Sequence, residues 1–418
     1  MDRAQNLFAF IPGGDTLSIS FIYFIGSAIL AFLISPFIIN ILYNLNITRR
    51  SKGDKVSEIF DTQNGKLGTP IMGGLIVIIT TLLITFLFNW KREYTWVPIG
   101  ALLLSACIGG IDDLLNIFGK VREQPKPVGL HIKLALVHKN IFKRIIYFLT
   151  IPWAAFKRIF LFLGSKPKSG LQVHEKLLLQ TFIGVTVGLW IYTKLGWSDV
   201  WIPYILRYDW VVNAINFIPG FTALPANSSI DIGWLMVPFV TLTIMAISNA
   251  VNISDGMDGL AGGLSMIAFT AYAIIAFGIS EYGKVIGDEM AYGSRSIAYL
   301  CATISGALLA YLYFNVKPAR VQMGDVGSLA IGTLLSIIAI VLNREFSLVF
   351  IAGVFLLNGV ISRIIQTLWR RFRHEKLFMM IPLHYHFAMK GWTEEKVVFR
   401  FWIISILLTA IGVWLAGI

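Results

Sequence analysis

The segment NAVNISDGMDGLA, residues 249–261, places amides and carboxylates at every third position between two long apolar runs. These amides and carboxylates are Asn249, Asn252, Asp255 and Asp258. Three residues turn an α-helix by about 300°, so these four side chains cannot share one face of a regular helix. Gly256 and Gly259 favour a helix end near Asp255, after which the backbone turns. We therefore expect the polar groups to surround the rim of a pocket.

Two further acidic motifs could join this pocket: Asp112 and Asp113 in GGIDDLL, and Asp325 in QMGDVGSL. Oxygen ligands suit Mg²⁺, which usually links one or two protein carboxylates to substrate phosphates. Glycine-rich turns expose backbone N–H groups that can bind phosphate. The motifs therefore predict metal-assisted chemistry on a phosphate, and the lack of a His/Cys cluster argues against zinc. The alternative is that each acid only caps a helix, as Asp325 and Ser328 could.

The composition is that of a polytopic membrane protein. Of the 418 residues, 56% are hydrophobic and only 14% are charged. Continuous apolar runs of about 20 residues match the length that a helix needs to cross a bilayer, and they lack the alternation of a membrane barrel. Ten membrane-spanning helices are predicted, at 17–43, 71–89, 95–115, 177–194, 234–250, 260–280, 297–314, 327–342, 346–369 and 398–417. Cys107 and Cys301 lie inside predicted spans and indicate neither a disulfide framework nor a metal site.

The distribution of charge predicts the orientation. Lys and Arg concentrate in alternate loops, chiefly 44–70, 116–176 and 370–397, which the positive-inside rule assigns to the cytoplasm. Both termini then lie outside, and the five aspartates named above fall at cytoplasmic ends of spans. The sequence therefore predicts an all-α integral membrane protein with a cytoplasmic active-site cleft. A transporter is the alternative from a different class, but transporters place their charges near the bilayer centre.

The whole chain is predicted to be a single membrane domain with one insertion and one long outside loop. The insertion covers about 124–168. Within it, the segment 141–163 has an uncharged core of only twelve residues between Arg144 and Lys157, which is too short to span. Basic pairs flank that core, so we predict a helix lying in the interface on anionic lipid. The outside loop, 195–233, is predicted to form a short hairpin or a surface helix.

The order of the motifs resembles that of the bacterial phospho-N-acetylmuramoyl-pentapeptide transferases, within the polyprenyl-phosphate sugar-1-phosphate transferase superfamily. The matching segments are KLGTPIMGG (66–74), GGIDDLL (109–115), HEKLLLQ (174–180), NAVNISDGMDGLA (249–261), YFNVKPARVQMGDVGSLAIG (313–332) and IPLHYHFAMKGWTEEKVVFRFWI (381–403). The paired aspartates and the N-x-x-N-x-x-D-G-x-D-G run belong to the superfamily. The P-x-H-x-H-F segment followed by K-G-W narrows the resemblance to the muramoyl branch.

The resemblance implies transfer of phospho-MurNAc-pentapeptide from UDP-MurNAc-pentapeptide to undecaprenyl phosphate, giving lipid I and UMP in a Mg²⁺-dependent step of peptidoglycan synthesis. It implies a ten-helix bundle in the bacterial cytoplasmic membrane, usually dimeric, with a cytoplasmic cleft. The expected partners are both substrates, membrane lipids and a second copy of the chain, and not nucleic acid. Transfer of GlcNAc-1-phosphate from UDP-GlcNAc, as in sister branches, is the alternative within the enzyme class.

The resemblance also assigns roles to individual residues. The catalytic group is Asp112, Asp113, Asp255 and His384. The substrate-binding group is Lys66, Thr69, Lys120, Lys176, Asn249, Asn252, Asp258, Asn315, Gly324, Ser328, Gln366 and His386. Asp325 is assigned as the metal ligand, and Asp112 as the group that meets the lipid phosphate, which it deprotonates or holds in place. A direct in-line attack is favoured over a covalent intermediate because no nucleophile stands out.

Finer assignments separate the phosphates from the nucleoside. Lys66 and Lys176 are expected to face the phosphates, and Asp258 and Asn315 the uridine. Asn249, Asn252 and Asp255 would orient metal and diphosphate, and His384 and His386 would contact the sugar-phosphate region. Three residues depart from the family's pattern: Tyr385 replaces the middle one of three histidines, Ala388 replaces a glutamate, and Gln322 replaces an aromatic residue. The insertion at about 124–168 is also longer than the family commonly carries.

Overall fold

The computed structural model describes most of the chain. The described residues are 16–49, 66–90, 94–119, 128–138, 140–162, 170–201, 203, 229–286 and 290–417. Within these ranges the fold is a bundle of α-helices with one short two-stranded sheet. Lys120, which was predicted to bind substrate, lies outside the described residues.

The helices account for nearly all of the regular structure in the described ranges. They are α1 (Thr16–Asn44), α2 (Gly74–Phe88), α3 (Trp96–Phe118), α4 (Val128–Val137), α5 (Ile141–Phe162), α6 (Val173–Trp190), α7 (Met236–Ser254), α8 (Leu260–Ile286), α9 (Met290–Asn315), α10 (Gly324–Val341), α11 (Glu345–Ile351), α12 (Gly353–Leu356), α13 (Ser362–Arg373), α14 (Leu383–Met389) and α15 (Glu394–Leu415). A 3₁₀ turn, Gly233–Leu235, precedes α7. Turns of π-helix extend α6 at Ile191–Leu195 and join α12 to α13 at Leu357–Ile361.

The strands β1 (Asp199–Trp201) and β2 (Ser229–Asp231) pair antiparallel, with Trp201 opposite Ser229. They bring together the two ends of the predicted outside loop, 195–233. Most of the middle of that loop lies outside the described residues.

Eight helices of the described part are long and apolar enough to cross a bilayer. They are Thr16–Asn44, Trp96–Phe118, Val173–Leu195, Gly233–Ser254, Leu260–Tyr282, Gly293–Asn315, Gly324–Val341 and Glu394–Leu415, and each coincides with a predicted span. The predicted span 346–369 is a pair of helices, Glu345–Ile351 and Gly353–Arg373, bent by 67° at the break between them. The predicted span 71–89 is only the 15-residue α2, about 22 Å long against a hydrocarbon core of about 30 Å. The described residues thus support eight spans, or nine with the bent pair, and do not confirm ten.

Helix α10 is the most enclosed element of the bundle. Every residue of Gly324–Val341 is buried except Asp325. A Cβ on Gly109 of α3 would collide with the backbone carbonyl of Asp325, and one on Gly74 of α2 would collide with the backbone of Gly327. Small residues allow helices to approach at backbone distance in a membrane. The close packing of α2 and α3 therefore fixes the position of Asp325 at the end of α10.

Helices α4 and α5 pack against each other and form a hairpin in the predicted insertion. Helix α5 covers Ile141–Phe162 and continues through Pro152. It is not among the helices of the described part that are long and apolar enough to span. A helix therefore occurs at 141–163, and its location on the bilayer surface stays a prediction.

Candidate active site

Helix ends from separate parts of the chain meet around the start of α10. Helix α7 ends at Ser254, because the backbone of Asp255 leaves the helical region (φ −79°, ψ 44°) and Gly259 turns it further with φ 79°. The predicted helix end near Asp255 is therefore confirmed. The C-terminal part of α3 brings Asp112 to the same place, and the first turn of α6 brings Lys176.

Lys176, Asp112, Asp325 and Asn252 form a polar group that we call the Asp325 cluster. The Lys176 Nζ lies 2.6 Å from Asp325 Oδ2 and also contacts Asp112 Oδ2. Asn252 Nδ2 donates to Asp325 Oδ1 at 2.7 Å. The Asp325 side chain is 23% exposed and that of Asp112 is 1% exposed. Asp325 is thus the more exposed acid of this pair, and Lys176 supplies a cation beside it.

Two of the predicted catalytic acids accept hydrogen bonds from the backbone on either side of Asp325. Asp255 Oδ2 accepts from the N–H of Gly324 at 3.0 Å, and Asp113 Oδ2 accepts from the N–H of Val326 at 3.0 Å. Carboxylates at this position are favoured by the unpaired N–H groups of a helix start. Burial, together with the negative charge of Asp325, raises the pKa of Asp255 to about 7. Asp113 and Asp255 therefore orient Asp325 through the backbone in this structure.

Asp112 also accepts a hydrogen bond from the segment that follows the insertion. The N–H of Leu171 donates to Asp112 Oδ1 at 2.5 Å. Helix α6 then starts two residues later with a reciprocal pair of hydrogen bonds between Gln172 and Glu175, which satisfies N–H groups of its first turn. One carboxylate thus links the end of α3, the returning segment and Lys176.

A second buried group lies beside the 255–259 turn, and we call Lys66, Asp258, Glu394 and Lys317 the Lys66 cluster. Lys66 Nζ lies 3.1 Å from Asp258 Oδ1 and 2.5 Å from Glu394 Oε1, and no side chain of these three is more than 4% exposed. Glu394 Oε1 also accepts from the N–H of Asp258 at 2.8 Å, and Lys317 Nζ lies 3.5 Å from Glu394 Oε2. Burial alone would lower the pKa of Lys66, but its attraction to Asp258 and Glu394 outweighs burial and raises it above its ordinary value. Lys66 is therefore a fixed ammonium group.

The residues predicted to face uridine hold loops together. Asn315 Oδ1 accepts from the N–H of Gly259 at 3.0 Å, and Asn315 Nδ2 donates to the Val321 carbonyl at 2.8 Å. Asp258 Oδ2 accepts from the N–H of Ala319 at 3.2 Å. Together with the Lys66 cluster, they connect the 255–259 turn to the segment between α9 and α10.

His384 is buried and neutral. Its Nδ1 and its backbone N–H both lie about 3 Å from Asn358 Oδ1, at 3.0 and 3.1 Å. Because this amide oxygen can only accept, Nδ1 carries the proton and Nε2 keeps a lone pair. Nε2 has no hydrogen-bond partner among the described residues and lies against Gly256. Burial, helped by the positive charge of Lys66, lowers the pKa of His384 to about 3.

Several residues that were predicted to bind substrate form hydrogen bonds with other parts of the protein. Asn249 Nδ2 donates to Gln180 Oε1 at 2.7 Å, one helical turn before Asn252. Gln366 Oε1 accepts from the N–H of Phe378, and His386 Nδ1 accepts from the N–H of Met379, so both hold the segment before α14. The remaining members are Thr69, which is buried, and Ser328, which accepts from Asn252 at 2.9 Å and donates to the Gly324 carbonyl.

Sequence reasoning missed Glu394, Asn358 and Gln180 as members of the polar network. Glu394 had a detectable signal, since it follows the K-G-W segment and lies in the first turn of α15, where Thr393 caps the helix. Asn358 lies inside an apolar run, and its role depends on contacts with His384 and with Ser254, at 2.9 Å. Gln322, which replaces an aromatic residue of the family, accepts from Arg49 Nη1 at 2.8 Å.

The donor atoms of the Asp325 cluster suit a magnesium ion. No group of three or more His, Cys, Asp or Glu side chains in the described part of the chain is arranged to hold a metal on its own. Mg²⁺, however, usually takes one or two carboxylates and completes its shell with substrate phosphate and water. Asp112 and Asp325 already share one cation, the Lys176 ammonium. Their hard oxygen atoms therefore fit Mg²⁺ by charge and by donor type.

Comparison with known proteins assigns this architecture to a family. The sequence profile of glycosyl transferase family 4 matches residues 95–343, which include the Asp325 cluster. The phospho-N-acetylmuramoyl-pentapeptide-transferase of Desulfotalea psychrophila is 30% identical over 394 residues, 92% of this chain and 90% of the relative. Those of Bartonella quintana and Neisseria gonorrhoeae are also 30% identical, covering 92% and 83% of this chain and 89% and 80% of their own lengths. The chain therefore belongs to glycosyl transferase family 4 and, within it, to the phospho-N-acetylmuramoyl-pentapeptide-transferases.

Proposed function

We propose that this protein transfers phospho-MurNAc-pentapeptide from UDP-MurNAc-pentapeptide to undecaprenyl phosphate, with release of UMP. The observation that carries the proposal is the Asp112–Lys176–Asp325 group at the ends of membrane-spanning helices. It offers acidic and cationic side chains where a lipid phosphate would meet a nucleotide diphosphate. The names of the relatives specify the transferred group.

The reaction requires little covalent chemistry from the protein. An oxygen of the lipid phosphate attacks the phosphorus that carries the sugar, and a new P–O–P bond forms. The bond from that phosphorus to the bridging oxygen breaks, and UMP leaves with that oxygen and its electron pair. A phosphate monoester with a second pKa of about 6 is already largely ionised at neutral pH. Positioning and charge neutralisation therefore dominate the barrier.

We assign these tasks to the Asp325 cluster. Lys176 neutralises phosphate charge, since its ammonium lies between two carboxylates from different helices. Asp112 holds the lipid phosphate in place or accepts its proton at Oδ2. Asn252 holds Asp325 Oδ1 at 2.7 Å, which leaves the partly exposed side of Asp325 towards the ligand.

Asp325 and Asp112 would hold the Mg²⁺ ion that we propose as the cofactor. When bound, the ion would stabilise negative charge on the diphosphate oxygens. The alternation of basic loops supports a site that faces the cytoplasm of a bacterial inner membrane, with both termini outside. We also propose that the chain acts as a homodimer, as the resemblance implies.

The test is UMP release by the purified full-length protein in lipid nanodiscs. The assay contains UDP-MurNAc-pentapeptide, a polyprenyl phosphate and Mg²⁺, with UDP-GlcNAc as the competing donor in a second arm. We expect UMP only when the muramoyl donor and the lipid phosphate are both present. If UDP-GlcNAc gave UMP at an equal or higher rate, UDP-GlcNAc would take the place of the muramoyl nucleotide as the donor. If neither donor gave UMP, the transferase assignment would be rejected.

A further inference from the structure

The hairpin of α4 and α5 presents an apolar stripe to its surroundings. On α5 the exposed apolar residues are Ile141, Phe142, Ile145, Ile146, Phe148 and Leu149. At about 100° per residue they cover one continuous stripe of about 160°. On the opposite side Ala154 is buried, and Tyr147, Thr150 and Ile151 are partly buried. The stripe thus points away from the packing of the hairpin.

Basic residues border this stripe. Lys143 and Arg144 fall on its two sides by helical geometry and both are exposed. Arg144 Nε also donates to the Ala135 carbonyl at 3.0 Å, which ties α5 to α4. In the sequence, residues 124–174 contain no Asp or Glu. Their basic residues are Lys126, Lys133, Lys139, Lys143, Arg144, Lys157, Arg158, Lys166 and Lys168.

The position of the hairpin in the chain indicates what its apolar stripe contacts. The hairpin follows α3 and precedes α6, both of which are long and apolar enough to span, and α5 also contacts α6. The uncharged part of α5, residues 145–156, would extend only about 18 Å and cannot cross about 30 Å of hydrocarbon. A helix with one broad apolar stripe, flanking cations and no acids suits the headgroup region of an anionic bilayer.

We propose that the α4–α5 hairpin lies on the surface of the same bilayer and binds anionic phospholipid headgroups, and that this contact positions the active site. The second part rests on the proposed function. Nine residues after α5 ends at Phe162, the N–H of Leu171 donates to Asp112 Oδ1. A Cβ on Gly170 would collide with Asp112, so this segment is closely fitted. Lys176 follows in the first turn of α6 and contacts both acids.

The first experiment reports the location of the hairpin without any turnover. A Phe148→Cys variant, with Cys107→Ala to remove the exposed native thiol, is labelled with an environment-sensitive fluorophore in the full-length protein. The protein is placed in nanodiscs of phosphatidylcholine alone or with an equal share of phosphatidylglycerol. We expect blue-shifted emission, and quenching by headgroup-level spin-labelled lipid, that increase with the anionic lipid.

Charge reversal supplies the matched comparison. Lys143→Glu places an acid beside the stripe without removing the Arg144 contact to α4, and should weaken quenching in the anionic discs several-fold. Lys194→Glu reverses an exposed charge on the turn that extends α6 and should leave quenching unchanged. Equal quenching in both lipid mixtures, or equal effects of the two variants, would overturn the proposal. A label that stays in water in every disc would also overturn it and would favour a soluble partner.

UMP release in the same discs tests the coupling to the site. We expect anionic lipid to increase the rate several-fold for the native protein and for Lys194→Glu, and to have a smaller effect on Lys143→Glu. A lipid-dependent fluorescence signal with identical lipid dependence of the rate in all three proteins would reject the coupling. The same signal without any UMP release would count against the proposed function and leave the lipid contact intact.

Discussion

The Lys66 ammonium and the Glu394 carboxylate lie 2.5 Å apart, both inside the protein, although 328 residues separate them in the chain. Glu394 Oε1 accepts a second bond from the N–H of Asp258, so one carboxylate joins the loop before α2, the 255–259 turn and the start of α15. Asp258, one of the two residues assigned to uridine binding, is therefore positioned by an acid from the other end of the chain.

Glu394→Gln should raise the KM for the UDP-linked donor about tenfold and change kcat and the KM for the lipid phosphate much less. The neutral amide weakens the bond to the N–H of Asp258 and the bond to the Lys66 ammonium, and hydrogen bonds to a charged group contribute about 1.5–3 kcal/mol. Steady-state UMP release with each substrate varied in turn gives the three constants.

The neighbouring Glu395→Gln is the matched control, because its side chain is 48% exposed and its ion pair is with Lys317 at 3.4 Å. Glu394→Asp should recover part of the donor affinity, since it restores the charge. Equal rises in both KM values with a lower Tm would show that Glu394 only stabilises the fold.

Asp325→Asn should reduce UMP release by about 10² to 10³, or about 3–4 kcal/mol, the range seen when one electrostatic stabiliser of a transition state is lost. The exchange keeps the size of the side chain and removes the charge that faces Lys176. The measurement is the rate at saturating Mg²⁺, with Tm and expression recorded for the same protein.

Asp231→Asn is the control for this exchange, because Asp231 is an exposed carboxylate in β2 that accepts from a nearby backbone N–H, that of Gly233 at 2.8 Å. If Asp325 served only to accept the hydrogen bond from Asn252 at the start of α10, Asn would replace it equally well. A rate for Asp325→Asn within a few-fold of the native rate would therefore assign Asp325 a structural role only.

Lys176→Gln should increase the affinity of the substrate-free protein for Mn²⁺ at least about tenfold while lowering transfer. Removing the ammonium leaves Asp112 and Asp325 without a shared cation, and unscreened attraction to a divalent ion amounts to several kcal/mol at short range. Electron paramagnetic resonance of free Mn²⁺ measures the affinity without turnover.

Lys194→Gln removes an exposed lysine from the turn that extends the other end of α6 and should leave Mn²⁺ binding unchanged. Adding Asp325→Asn to Lys176→Gln should reverse the gain. Native affinity in Lys176→Gln would indicate that the two acids do not hold the ion.

Between pH 7 and pH 5 His384 should contribute a loss of stability of about 2 kcal/mol, whereas Asp255, whose folded pKa is raised to about 7, contributes in the opposite direction. The pKa of His384 is about 3 in the folded protein, below the ordinary value near 6.5. Protons therefore bind the unfolded chain preferentially between these values, so the stability contributed by His384 is complete above about pH 6.5 and decreases as the pH falls.

Thermal unfolding of the native protein and of His384→Gln across this pH range measures the effect. The variant should lose less Tm between pH 7 and pH 5 than the native protein does. His374→Gln, at an exposed residue, should retain the native pH dependence, and identical slopes in all three proteins would contradict the neutral state of His384.

The acids of the Asp325 cluster could be predicted from the sequence because their positions at span ends required only periodicity and charge. The Lys66–Glu394 pair could not be found in this way, since no local pattern connects a loop near residue 66 to the start of α15. The contacts also distinguish residues that look alike in the sequence. Asp113 looks equivalent to Asp112 in the sequence, but it accepts from the N–H of Val326, whereas Asp112 contacts Lys176.

The predicted span 71–89 is not confirmed, for a related reason. Its first residues are apolar, but the N–H groups of Gly73 and Gly74 donate to the carbonyls of Gln322 and Met323 at 2.7 and 3.0 Å. These bonds join the chain to the segment before Asp325, and α2 begins only at Gly74. Apolar composition cannot distinguish such a segment from a continuing helix.

The burial of α10 separates this helix from changes in the thickness of the bilayer. Helices that touch lipid must tilt or shift when the hydrocarbon layer becomes thicker or thinner. Helix α10 is buried along its whole length except at Asp325, and glycines of α2 and α3 hold it at backbone distance. Adjustment to bilayer thickness therefore falls on peripheral helices such as α1, whose outer side chains are exposed. The Asp325 end of α10 should therefore keep its depth while the surrounding membrane changes.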